Sequence, residues 1–354
     1  MTRHRLARPG GTAAASRRRF TSPLLVLAVV SVLAAVGVGA AAQASTRHHH
    51  HRQAHIAAGK AVAHRSPAPA HAQTHAATAA SRNRICGMRP AGSVRVTHVI
   101  WIVMENRSYN QVMPASYISS LAAQCAVDTN YHNISHPSLP NYIAMTSGRA
   151  GSALPSTDCP SFCTVKGPSI FSQTSSWGVF AESMPGNCVR HDARPYVAHH
   201  TAAPYYAGLS TCATHDVPLT ALNLARLPAF SLIVPNISHD MHENSSSVAA
   251  GDSWLRTHLG AILSSPVYQS GSTVVFVTWD EGGTPRSTNN CATNTSDPGC
   301  HVALLVMSPF VTPGTRSAAL ANHYSLLRVT EKLLGLPYLG QAGAAPAISA
   351  AFKL

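Results

Sequence analysis

His98-Val99-Ile100-Trp101-Ile102-Val103-Met104-Glu105-Asn106 is the stretch from which the fold can be read. Val99 to Met104 is apolar throughout, as expected of a strand covered on both faces. It then stops abruptly at an acid and an amide. Two further apolar runs end in a similar way. Phe230 to Val234 leads into Pro235-Asn236 and then Asp240 and His242, and Thr273 to Trp279 leads into Asp280-Glu281-Gly282-Gly283. A fourth run, Val302 to Met307, begins directly after His301. Helical patterns fall at Ser253 to Leu263 and Tyr324 to Leu334. In the second, Leu326, Val329 and Leu333 share one face, and Gly335 with Pro337 marks the stop. The pattern predicts one α/β domain. In parallel α/β sheets, ligands bind beyond the carboxyl ends of the strands. Charged residues make up only 11% of the chain, so their collection at three strand ends carries weight.

A second segment supplies a nucleophile. Ser135-His136-Pro137-Ser138-Leu139-Pro140-Asn141-Tyr142, running on to Thr146-Ser147-Gly148, reads as a short helix. Ser138 is expected at its N-cap, Pro140 in its first turn and Gly148 at its end. Free N–H groups at a helix start favour a phosphate or another anion. A serine beside proline is ordinarily only a cap, and the strand ends are what make Ser138 a candidate catalyst. Glu105, Asn106, Asp280 and Glu281 offer hard oxygen donors suited to Ca²⁺, Mg²⁺ or Mn²⁺, and added imidazoles would admit Zn²⁺ or Fe. Taken singly, each has an ordinary reading as a turn, a cap or a surface group. His323, at a helix start, is read as a cap and left out of the site.

The formal charge of +13 does not point to a nucleic-acid partner. Residues 1–84 hold twelve Arg or Lys and no acid, so the rest of the chain has a net charge of only +1. No basic stripe with interleaved aromatics appears there. Residues 1–44 read as an export signal. Ser16-Arg17-Arg18-Arg19-Phe20 resembles a twin-arginine motif, an apolar run from Leu24 extends to Ala42, and Ala42-Gln43-Ala44 offers a cleavage site. The small residues at its end favour cleavage by a Tat- or Sec-type route over an uncleaved anchor. Residues 45–84 are Ala/His/Pro-rich, with His48-His49-His50-His51, and read as a disordered linker with incidental metal affinity. Residues 85–354 form the catalytic domain. All eight cysteines lie in it, and an even count on an exported chain suggests disulfides. Of 105 connectivities, pairing sequence neighbours gives 86–125, 159–163, 188–212 and 291–300.

The segments from His98 to Tyr109, His136 to Gly148, Pro235 to His242, Thr278 to Gly283 and Asn322 to Leu327 resemble the bacterial phosphoesterase family of secreted acid phosphatases and phospholipases C. The resemblance implies an alkaline-phosphatase-like fold, a three-layer α/β/α sandwich around a mostly parallel sheet. It implies metal ligands at Glu105, Asn106, Ser138, Asp280 and Glu281. It also implies a group around the phosphate at His136, Asp240, His242 and His301. Two-zinc members of the wider superfamily have Asp at the first strand end. Glu105-Asn106 here therefore implies one essential divalent metal, with Ca, Mg, Mn, Zn and Fe all open.

The function expected is a secreted, metal-dependent acid phosphatase acting on phosphate monoesters, phosphoinositides among them, through a phosphoserine on Ser138. His242 or His301 would protonate the leaving alkoxide. The chain stops soon after Leu334, without the further domains of longer phospholipases C, which favours monoesters over the alternative of head-group diesters. A reading from another class, an exported non-catalytic metal- or surface-binding protein, rests on the His-rich linker. The expected partners are the phosphate ester and a transient lipid surface, with no nucleic acid. The oligomeric state is left open.

Overall fold

A computed structural model describes residues 84–159, 163–244, 247–283 and 286–354. The chain divides at Ser66/Pro67 into two units, and all described residues lie in the second. The export signal, the twin-arginine motif and almost all of the His-rich linker lie outside them. Among the described residues no helix is long and apolar enough to cross a membrane.

One sheet organises the domain. Its strands are β1 (His98–Met104), β2 (Ala126–His132), β3 (Trp177–Ala181), β4 (Asp216–Pro218), β5 (Phe230–Val234), β6 (Thr273–Trp279), β7 (His301–Met307), β8 (Thr315–Ser317) and β9 (Ala321–Asn322). Across the sheet the order is β8-β2-β7-β6-β1-β5-β3-β4, with β9 also paired to β2. Only β7 runs against its neighbours. β5 and β6 are buried throughout, and β1 and β7 are buried after their first residues, which is why these four were legible as apolar runs.

Helices complete a three-layer α/β/α sandwich of the alkaline-phosphatase type. They are α1 (Ser116–Gln124), α2 (Ser138–Ser147), α3 (Ser247–Ser264) and α4 (His323–Leu334). α1 packs on α3 and α2 on α4. The Trp101 indole N–H donates to Thr330 Oγ1 at 2.9 Å and ties α4 to the central strand. α3 begins six residues before the expected start, because Ser247 to Asp252 is small and polar and shows no apolar period. α2 is buried along its whole length and ends at Gly148, where φ is 67°. A left-handed residue there favours glycine, and a Cβ would also strike the Leu339 carbonyl.

Register decides where the acids meet. Met104 pairs with Trp279, so Glu105 and Asp280 leave the sheet side by side. β7 is antiparallel, so its first residue, His301, lies at the same edge, opposite the last residue of β2, His132.

All four neighbour disulfides are present: Cys86–Cys125, Cys159–Cys163, Cys188–Cys212 and Cys291–Cys300. The first closes the longest loop, with a sequence separation of 39, and fastens the domain's start to the end of α1. Replacing Cys86 and Cys125 together by serine should lower the unfolding free energy by about 2–4 kcal/mol. The measurement is the denaturant midpoint, and an unchanged midpoint would show that this crosslink contributes nothing.

Candidate active site

The site forms where β1, β5 and β6 end and α2 begins. Ser138 is the first residue of α2, and its cap position is taken by Pro137, so the expected N-cap role is corrected. The Ser138 hydroxyl is left free to donate to Glu105 Oε2 at 3.1 Å. Tyr142, one helical turn on, donates to Glu105 Oε1 at 2.5 Å. The Asn106 backbone N–H donates to Asp280 Oδ1 at 3.1 Å. Asn106 holds φ at 38°, and Met241, between Asp240 and His242, at 81°. Strained backbone of this kind gathers at functional sites.

Two histidines lie within the carboxylates. His136 Nδ1 sits 2.9 Å from Glu281 Oε2, while Arg286 Nη1 lies 3.2 Å from the same nitrogen and 3.5 Å from Glu281 Oε1. One ring nitrogen cannot both donate to the acid and accept from the guanidinium, so this trio is not internally satisfied. His200 bridges two acids, with Nε2 3.4 Å from Glu105 Oε2 and Nδ1 3.5 Å from Asp240 Oδ2. These are ion-pair distances without hydrogen-bond alignment, and both ring nitrogens count as unpartnered. The His242 N–H donates to Asp240 Oδ1 at 2.8 Å, and the His242 ring lies 6.2 Å from that of His200.

Glu105, Asp240, Asp280 and Glu281 are all buried, and they crowd one another. Burial raises the Glu105 carboxyl well above its ordinary range, and the Asp280 and Asp240 charges raise it further. Burial and then the Glu281 charge do the same to Asp280. Asp240 is pushed up to about 7 and Glu281 to about 8, in both cases chiefly by burial. Burial, then the Arg286 charge, lowers His136 to about 4. His200 is lowered well below its ordinary value by burial and by His199 and His242. Such acids are held ionised only by a positive charge among them.

The unpartnered buried atoms tell the same story. They include Asn106 Oδ1, Asp280 Oδ2, Glu281 Oε2, Asp240 Oδ2, His136 Nε2 and His242 Nδ1. Buried polar groups are rarely left without partners, and hard oxygens left so together suit a divalent cation. Two clusters containing cysteine, His136 with Cys291 and Cys300, and Cys188 with Cys212 and Asp216, do not compete, because their thiols are in disulfides.

Not every expected residue joins this group. His301 Nε2 lies 3.0 Å from the Thr129 carbonyl, and its ring stacks between Tyr109 and His132, with centroids at 4.8 and 5.3 Å. The structure puts it at the right edge but not against Ser138. His323 is not the α4 cap, which is Asn322. It is buried, with Nε2 2.6 Å from the Asp280 carbonyl and Nδ1 3.0 Å from the Tyr131 hydroxyl, and so braces the turn that begins at Asp280. Three residues were missed. Tyr142 could have been found from its i+4 spacing to Ser138. His200 lies in a short turn, Ala198–His200, with no strand pattern beside it. Asp158, far from any apolar run, accepts the Leu139 N–H at 2.8 Å and thus occupies the amide next to the nucleophile.

Known proteins match this arrangement. The Phosphoesterase family matches residues 111–337. A phosphatidylinositol-3-phosphatase from Mycobacterium tuberculosis (strain ATCC 25618 / H37Rv) is 31% identical over 280 residues, covering 74% of this chain and 85% of that protein. A phosphate-repressible acid phosphatase from Penicillium chrysogenum is 25% identical, covering 81% of this chain and 70% of its own. An acid phosphatase from Aspergillus fumigatus (strain ATCC MYA-4609 / CBS 101355 / FGSC A1100 / Af293) is 24% identical, covering 68% of this chain and 55% of its own. Among solved structures, an alkaline phosphatase superfamily protein from Vibrio parahaemolyticus superposes with a TM-score of 0.50 at 10% identity, covering 74% of this chain and 73% of that one. A likeness at that identity speaks for the fold alone. The family match and the mycobacterial relative, with the acids gathered at the sheet edge, decide the assignment: the chain belongs to the Phosphoesterase family and is a phosphoric ester hydrolase.

Proposed function

We propose that the protein is an exported, cation-dependent acid phosphatase that cleaves phosphate monoesters with Ser138 as nucleophile. The observation that carries this reading is the Ser138 hydroxyl, 3.1 Å from Glu105 at the head of a buried helix. Glu105, Asn106, Ser138, Asp280 and Glu281 would hold a divalent cation, which when bound neutralises phosphoryl oxygens and acidifies the serine hydroxyl. Glu105 orients the hydroxyl. Asp240 and Tyr142 hold His200 and Glu105 in place. The Leu139 N–H, once Asp158 leaves it, is free for a phosphoryl oxygen.

Ser138 passes its proton to Glu105 Oε2 as its oxygen bonds phosphorus and the ester P–O bond breaks. His242, half-buried at the rim, gives a proton to the departing alkoxide. In the second step His242 takes a proton from water, the water oxygen bonds phosphorus, and the Ser138 oxygen leaves and takes its proton back from Glu105. His301 is assigned a packing role instead, because its ring is committed to Thr129. The name of the mycobacterial relative makes phosphoinositide monoesters the first lipid substrates to test. The four disulfides support export.

Ser138→Ala should lower turnover of p-nitrophenyl phosphate about a thousand-fold or more while leaving the melting temperature intact. A few per cent of residual activity would mean another residue is the nucleophile. Hydrolysis of phosphatidylcholine in preference to p-nitrophenyl phosphate would favour the phospholipase C reading.

Chelation should remove both activity and bound metal, and Asp280→Asn should do the same without chelator, as read by elemental analysis and by assay after adding back Ca²⁺, Mg²⁺, Mn²⁺, Zn²⁺ or Fe²⁺ singly. Full activity in metal-free protein contradicts the cation.

Asp158→Asn keeps an oxygen for the Leu139 amide and removes the charge that repels phosphate. Inhibition by inorganic phosphate should tighten about fivefold, equivalent to about 1 kcal/mol, with kcat little changed. An unchanged inhibition constant means Asp158 does not compete for the anion site.

A further inference from the structure

Asp216 is a buried acid that takes no part in the phosphatase chemistry proposed above. It opens β4, and its side chain is fully buried. Among the described residues Oδ1 has no hydrogen-bond partner, and Oδ2 reaches only the Cys212 sulfur, at 3.9 Å. Cys212 is joined to Cys188, and both sulfurs lie within 4.8 Å of a carboxylate oxygen of Asp216. The Cys188 N–H also donates to the Asp216 carbonyl at 2.9 Å, which fixes the acid against the crosslink. A disulfide sulfur carries no hydrogen, so a hydrogen bond between the two needs the proton on the carboxyl. Burial favours that form and raises Asp216 well above the ordinary carboxylate range.

The two cysteines are not equivalent. Cys188 is half-buried and Cys212 buried, so a small molecule meets Cys188 first. The loop that they close carries His200, whose Nε2 and Nδ1 lie 3.4 and 3.5 Å from Glu105 and Asp240 without hydrogen-bond alignment. His200 is therefore held in the phosphate site by its backbone more than by these acids, and that backbone is closed by this crosslink.

We propose that Cys188–Cys212 is a thiol–disulfide exchange site for a small dithiol, with Asp216 as its proton donor, and that opening it releases His200 from the phosphate site. The dithiol's thiolate attacks Cys188 Sγ, on the more exposed residue of the pair. The S–S bond breaks, and its electron pair leaves on Cys212 Sγ together with the Asp216 proton. A bare thiolate there would be buried without a partner, which the transferred proton avoids. The dithiol's second sulfur then attacks the mixed disulfide and closes an oxidised ring. Cys188 Sγ leaves with that electron pair and takes the proton that the second thiol gives up, and water reprotonates Asp216. The protein gains two thiols, and the dithiol loses two electrons and two protons. An oxidised dithiol drives the same steps backwards.

The test treats the full protein with dithiothreitol under native conditions, blocks the freed thiols and reads each cysteine pair by mass. Cys86–Cys125 is the internal reference, since Cys86 meets the Tyr268 hydroxyl at 3.6 Å rather than an acid. Cys188–Cys212 should open about tenfold or more faster than this reference, with turnover of p-nitrophenyl phosphate falling as it opens. Asp216→Asn, which cannot give up a proton, should slow that opening about tenfold and leave the reference unchanged. In the unsubstituted protein the ratio of the two rates should fall about twofold in D₂O, which reads the proton transfer even where the variant fails to fold. Cys188→Ser combined with Cys212→Ser should start at the lowered turnover, and dithiothreitol should lower it no further. A Cys188–Cys212 rate no faster than the reference, or one that neither Asp216→Asn nor D₂O lowers, overturns the exchange site. Full turnover in the double serine variant overturns the release of His200. Untreated protein that leaves p-nitrophenyl phosphate intact overturns the phosphatase reading, and the exchange rates still decide the role of Asp216.

Discussion

Four carboxylates held out of water repel one another, and the rest of this structure is arranged around that repulsion. Glu105, Asp240, Asp280 and Glu281 come together because three parallel strands end at one edge in register. The protein answers each acid only in part. Ser138 and Tyr142 donate to Glu105, backbone N–H groups donate to Asp240 and Asp280, and Arg286 approaches Glu281. His200 stands between Glu105 and Asp240 with neither nitrogen well aligned. Partial satisfaction is costly in a dry interior. It is also what a charged ligand can use, because groups already turned inward need no reorganisation when charge arrives.

Holding such a site requires backbone that an ordinary loop would not adopt. Asn106 and Met241 both sit at positive φ, each next to an acid of the cluster. Gly282 approaches the Gly299 carbonyl so closely that a Cβ could not be accommodated, which accounts for glycine after Asp280-Glu281. His323 braces the same turn from beneath through the Asp280 carbonyl. Strain of about 1–3 kcal/mol per residue persists only where the surroundings determine it, and here the surroundings are the buried strands β1 and β6 and the helices packed on them.

What could be read in advance followed from solvent and from period. Strands buried on both faces advertise themselves as apolar runs, so β1, β5, β6 and β7 were legible, and with them the acids at their ends. β2 was not, because Asp128, Thr129 and Asn130 interrupt it; β3 is as long as β5 and as buried, but Gly178 and Ala181 leave it only three large apolar residues, and β4 has three residues in all. β7 was located correctly, but its antiparallel sense has no local signature, since direction is set by partners distant in sequence. The same holds for side chains. Ser138, Glu105 and Asp280 lie beside recognisable elements. His200 and Asp158 lie in irregular segments whose path is set by tertiary packing. His301 sat at the expected edge, yet its ring stacks between Tyr109 and His132 and is held to the Thr129 carbonyl, and no spacing rule encodes that placement.

The irregular segments also explain why the disulfides fall where they do. Asp158 immediately precedes Cys159, and His200 lies within the Cys188–Cys212 loop. Helices and strands position their side chains through backbone hydrogen bonds repeated every residue. A loop has few of these, and each of its functional groups must still be placed to within a fraction of an ångström. Crosslinks close such loops and remove alternative paths from the unfolded chain, and the entropic gain depends only weakly on loop length. The acids of the site therefore rest on the sheet and its edge, and the loop residues that touch them or the Leu139 amide, His200 and Asp158, rest within or directly beside disulfide-closed loops.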